Sequence, residues 1–139
     1  MPSVVAVVDT GPLLAAADER DPDHEPSVAQ FRRTNLLFVI PAPVATEAAQ
    51  MIASRLGPAA EAAFHRALAT QDVELPAPDD YTRIAELVEQ YADFPLGSVD
   101  ASVVALAERL DTPLVLTLDR RHFTAVRPKH CESLHLLPE

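Results

Sequence analysis

One cysteine, three glycines and one lysine are all that the 139-residue chain holds of these types, and each shortage closes off a class of function. A lone thiol, Cys131, can form neither an internal disulfide nor a zinc site built on paired cysteines, and a reducing cytoplasm suits it best. It reads as a structural thiol rather than a nucleophile. The glycines stand isolated at 11, 57 and 97, so neither a P-loop nor a dinucleotide loop can be built. A signalling receiver would need a lysine at a strand end, and Lys129 does not occupy one. No apolar run approaches the roughly 18 residues that span a bilayer, and the opening MPSVVAVVDTG carries no basic leader. We therefore expect a soluble, untargeted protein with no membrane partner. Bases are also short, 11 against 21 acids, and the net charge of −10 gives a field that repels polyanions.

What is present has the size and composition of one globular domain, residues 1–139. Apolar runs at Val4–Val8, Leu36–Ile40 and Leu114–Leu118 read as buried strands, Val73–Leu75 as a short strand and Leu134–Leu137 as a last edge strand. Helical spacing predicts helices after Thr10, over Pro26–Thr34, Val44–Leu56, Ala59–Ala69 and Tyr81–Tyr91, and over Val99–Leu110 with Ser98 as its cap. Along the third of these, Val44, Ala48, Met51, Ile52 and Leu56 should form the buried face. Alternation of buried strands with helices gives an α/β class: a three-layer α/β/α sandwich around a mainly parallel sheet. Ligands in such sheets bind beyond the carboxyl ends of the strands.

Two strands finish on an acid. Asp9 follows Val4–Val8 and Asp119 follows Leu114–Leu118, although the first also reads as a turn residue and the second as a helix N-cap. Asp100 heads the stripe Val103, Val104 and Ala107, so its carboxylate is directed toward a core and needs a cation, a metal or amide donors. Glu47 lies at the margin of an apolar helical face, where a solvated first-turn glutamate would also fit. Strand C-termini and the N-termini of crossover helices share one edge of a parallel sheet, so the four acids should meet there. Clustered carboxylates repel one another unless cations are present, and hard oxygen donors suit Mg²⁺ or Mn²⁺ rather than zinc. The histidines at 24, 65, 122, 130 and 135 include no pair at metal-binding helical spacing and read as surface or structural, with His122 able to touch a substrate.

In these segments the chain resembles the PIN-domain family, and within it the VapC-type toxins of bacterial toxin–antitoxin pairs. VVDTGPLLA (7–15) looks like the opening strand with its first acid, Asp9, and adjacent Thr10. PVATE (43–47) resembles the second motif, LGSVDASVVALAERL (96–110) the third with Asp100, and LTLDRRHF (116–123) the last with Thr117 and Asp119. Some relatives carry a further aspartate in the last motif; here Thr117 stands two before Asp119, leaving four acids.

The resemblance implies an Mg²⁺- or Mn²⁺-dependent endoribonuclease, one or two ions, cutting RNA by metal-activated water. It further implies a homodimer inhibited by a VapB-like antitoxin that inserts a segment into the acidic groove. Asp9, Asp100 and Asp119 would be the principal ligands and Glu47 a further ligand or the orienter of water. Thr10, Ser98 and Thr117 would support them through bound water, or serve as ordinary caps. Arg120, Arg121, His122, Arg127, Lys129 and His130 form a basic cluster that either binds RNA phosphates, through Arg120 and Arg121 first, or is a solvated loop. The competing reading is a catalytically silent PIN-like scaffold that binds RNA or a protein.

Overall fold

The structure, a computed structural model, describes residues 3–139. Met1 and Pro2, where the reading of an absent leader begins, lie outside the described residues. Among the described residues five strands form: β1 (Val4–Val8), β2 (Leu36–Pro41), β3 (Asp72–Glu74), β4 (Leu114–Leu116) and β5 (His135–Leu137). All four strand pairings are parallel and the order is β3-β2-β1-β4-β5. The sheet expected to be mainly parallel is thus wholly so.

Parallel neighbours cannot be joined by hairpins, so every connection carries helix. The helices are α1 (Thr10–Ala17), α2 (His24–Phe31), α3 (Ala42–Leu56), α4 (Pro58–Leu68), α5 (Pro78–Gln90), α6 (Ser98–Arg109) and α7 (Arg120–Ala125). Among the described residues, no helix is long and apolar enough to cross a membrane.

The core lies between sheet and helices. Val7, Val8, Val115 and Leu116 of the two central strands are buried, as are Val44 and Ile52 of α3, Leu87 of α5 and Phe123 of α7. Helix α6 is the most enclosed: every residue from Ala101 to Ala107 is buried, and the helix packs on β1, β2, β4, α3 and α5. Val103, Val104 and Ala107, the stripe expected beneath Asp100, are all fully buried.

Several expectations shift. Met51 and Leu56 of α3 are exposed at 40% and 37%, while Ala45 and Ala49 are buried in their stead. The buried face is therefore turned by one residue, and its alanines allow neighbouring elements to approach closely. Helix α2 begins at His24 rather than Pro26, since proline is tolerated within a first helical turn. Gly97, not Ser98, occupies the N-cap of α6, and no side chain caps that end. Ladder pairing ends β4 at Leu116, two residues before the expected end.

Candidate metal centre

Strand order reverses between β1 and β4, the position at which an open parallel sheet leaves a crevice beyond its carboxyl ends. Val8 pairs with Leu116, so the next residues, Asp9 and Thr117, leave the sheet side by side. The Asp9 amide donates to the Leu116 carbonyl at 2.9 Å, and the Thr117 hydroxyl donates to Asp9 Oδ2 at 2.7 Å. At Gly11 the turn after β1 lies against the one after β4, with room for a Cβ at ordinary contact distance. A Cβ placed there would sit 3.4 Å from the Leu118 side chain.

The Thr117 hydroxyl also accepts the Asp119 amide at 2.9 Å. Asp119 is then the N-cap of α7, its Oδ1 accepting from the His122 amide at 3.1 Å. Its Oδ2 lies 2.6 Å from His122 Nδ1. The N-cap expected of Asp119 is therefore present, and its second carboxylate oxygen faces His122. Glu47 arrives from the first turns of α3, and its Oε2 accepts from the Thr10 hydroxyl at 2.6 Å. Asp100 arrives from the first turn of α6. Asp100, Asp119 and His122 each bring one donor atom within 4.8 Å of the other two.

The model of the PIN domain family matches residues 6–128. The chain belongs to the PIN-domain family. It is 37% identical over 124 residues to Ribonuclease VapC26 of Mycobacterium tuberculosis (strain ATCC 25618 / H37Rv), covering 88% of this chain and 92% of that protein. Similar folds are found in M. tuberculosis VapC20, described as a Sarcin-Ricin loop cleaving toxin (TM-score 0.73, 19% identity, 80% of this chain and 86% of that one). A toxin–antitoxin complex from Klebsiella pneumoniae is also similar (TM-score 0.64, 18% identity, 87% and 92% covered). So is VapBC2 from Rickettsia felis bound to a DNA fragment from its promoter (TM-score 0.68, 13% identity, 96% and 97% covered).

Electrostatics in this PIN domain favours a cation. Burial pushes the Asp100 carboxyl up to about 6, and the charges of Asp9, Asp119 and Glu47 add to it while His122 opposes them. Burial likewise raises Asp9, against the Thr117 hydrogen bond, with Asp119 and Glu47 again adding repulsion. Among the described residues, no arginine or lysine forms an ion pair with Asp9, Glu47, Asp100 or Asp119. Asp9 and Asp100, desolvated beside two further carboxylates with no arginine or lysine partner, fit a divalent metal. The donors are hard oxygens, joined by one imidazole, and that set accommodates Mg²⁺ or Mn²⁺.

His122 is the residue that sequence spacing missed. Asp-x-x-His across an N-cap and the third helical residue makes the two side chains neighbours, and that spacing was the available signal. Thr10 and Thr117 bond directly to carboxylates, without an intervening water, whereas Ser98 is exposed and forms no cap. The basic cluster is largely engaged elsewhere. Arg120 donates to the Pro138 carbonyl, Arg127 to those of Thr124 and Val126, Lys129 pairs with Glu86, and His130 bonds Thr112. Within the cluster, Arg121 lacks a polar partner among the described residues and lies over the Phe94 ring at 5.2 Å. An apolar cavity of about 420 Å³ between α1, α2, β2 and α4 is lined by none of the four acids.

Proposed function

We propose that this PIN domain is the ribonuclease toxin of a VapBC-type pair, hydrolysing RNA phosphodiester bonds with Mg²⁺ or Mn²⁺. What supports the reading is that Asp9, Glu47, Asp100 and Asp119 lie close enough to repel one another with no arginine or lysine paired to them, in a chain 37% identical to a ribonuclease VapC. Asp9, Asp100 and Asp119 would be the principal ligands of one ion; Glu47 would be a further ligand or orient the attacking water. A bound divalent ion supplies a Lewis acid that activates water and offsets charge on the phosphodiester.

The protein's own part is positioning and proton control. Thr117 fixes the rotamer of Asp9, and Thr10 fixes that of Glu47, so two carboxylates are held before substrate arrives. Asp100 must give up its proton to accept a cation, which at neutral pH its value of about 6 permits. No side chain needs to become a covalent nucleophile. The partners of this reading are an RNA substrate, a cognate VapB-like antitoxin and a second copy of the chain, and the compartment is the cytoplasm.

The experiment is incubation of purified protein with total RNA in Mg²⁺ or Mn²⁺, followed by sequencing of new 5′ ends, with Asp100→Asn and EDTA controls. Discrete new ends that vanish in both controls support the reading. Intact RNA, or cleavage that persists in EDTA, contradicts it.

A further inference from the structure

The chain has five phenylalanines, two tyrosines and no tryptophan. Phe31, Phe38 and Phe64 line the apolar cavity, and Phe123 is fully buried in the core. Phe94 alone of the phenylalanines lies at the acid end, half-buried on the turn between α5 and α6. Its ring centroid is 5.0 Å from that of His122, tilted by 54°, and the Arg121 guanidinium lies over it at 5.2 Å. His122 in turn contacts Asp119 at 2.6 Å. The turn is tied down: the Phe94 amide donates to the Tyr91 carbonyl at 3.0 Å, and the Tyr91 hydroxyl accepts the Arg127 amide at 2.9 Å. An aromatic ring, an imidazole and a guanidinium with no polar partner are thus held together, one contact away from a candidate metal ligand.

We propose that Phe94, His122 and Arg121 form a stacking platform for an unpaired base adjoining the phosphate held at the acids. The inference rests on the ribonuclease reading and adds to it the residues that would hold a base beside the acids. Bases splayed out of a strand stack on aromatic rings and on arginine planes, and that contact tolerates any sequence because every base has a π-face. A duplex keeps its bases stacked inside and cannot use the platform. A net charge of −10 makes such a contact useful, since phosphate attraction alone is opposed by the rest of the molecule.

The test measures cleavage of a fluorogenic pool of randomised single-stranded RNA oligonucleotides in Mn²⁺ by wild type, Phe94→Ala, Phe94→Trp and Arg121→Ala, with Mn²⁺ calorimetry on each. Phe94→Ala should raise KM roughly tenfold with kcat within about twofold, as loss of one stacked base implies, while Phe94→Trp stays near wild type. Mn²⁺ affinity should be unchanged in all three. Phe94→Leu, which keeps apolar bulk without a π-face, replaces Phe94→Ala if melting by circular dichroism shows the alanine variant unfolded. Wild-type cleavage with an unchanged KM in Phe94→Ala, or in Phe94→Leu where that replaces it, overturns the platform alone, as does loss of Mn²⁺ affinity in either. Wild type that binds Mn²⁺ and leaves all RNA intact overturns the ribonuclease reading itself.

Discussion

The Thr117 hydroxyl donates to Asp9 Oδ2 at 2.7 Å while accepting the Asp119 amide at 2.9 Å, so one buried side chain sets the position of two acids. Thr117→Val keeps the shape and removes both bonds, leaving buried Asp9 without its hydroxyl donor. The expected cost is about 1–2 kcal/mol, because a buried acceptor loses its donor. Mn²⁺ affinity should fall with it, and Thr117→Ser should restore both. Chemical denaturation and calorimetry on the three proteins check this.

Asp100 makes the metal-free protein sensitive to pH. Its folded value, raised from 3.8 to about 6 chiefly by burial, means that the folded state holds the proton more tightly than the unfolded chain. The stability from protonated Asp100 is complete below 3.8 and is lost as pH rises through 6. Asp100→Asn should therefore melt with wild type near pH 4 and above it at pH 7.5. Solvent screening of this partly exposed group limits the gain to roughly 1 kcal/mol, or about 4 °C for a domain of this size. Thermal melts in EDTA across that range give the answer.

Metal binding should show the opposite slope. The ion competes with the Asp100 proton, so affinity should climb as pH rises through about 6, and Asp9, also raised by burial, adds to the rise. Titrations in buffers of different ionisation enthalpy will count protons released on Mn²⁺ binding. Release should be substantial at pH 5.5 and close to zero from Asp100 at pH 8.

The two neighbouring arginines should behave differently. Arg121 has no polar partner among the described residues, whereas Arg120 donates to the Pro138 carbonyl at 2.9 Å. Arg121→Glu should weaken RNA binding and reduce the slope of log K against log salt by about one. Arg120→Ala should leave RNA affinity within about twofold and lower stability by well under 1 kcal/mol, its bond being exposed. Filter binding at several salt concentrations separates them.

The strands and the acids at their ends were legible because Val4–Val8 and Leu114–Leu116 are continuous apolar runs that stop at the sheet edge. Asp100 was legible because Val103, Val104 and Ala107 fix the inward face of α6. Other features depend on contacts that periodicity does not encode. The buried face of α3 passes through Ala45 and Ala49, which look neutral in sequence, and leaves Met51 outside. The Arg120–Pro138 bond joins residues 18 apart in sequence, so a basic run in which most members are occupied looked uniform. His122 was hidden because its neighbour Asp119 belongs to the preceding turn, and only the short α7 brings the two side chains together.

The most direct measurement is calorimetric titration of Mn²⁺ into wild type and Asp100→Asn at pH 7.5, with both folds verified. Four acids sharing a cation predict saturable binding to wild type that weakens by at least about tenfold, or ~1.4 kcal/mol, in the variant. Equal affinity in the two proteins, or no saturable binding to wild type, would contradict the metal centre.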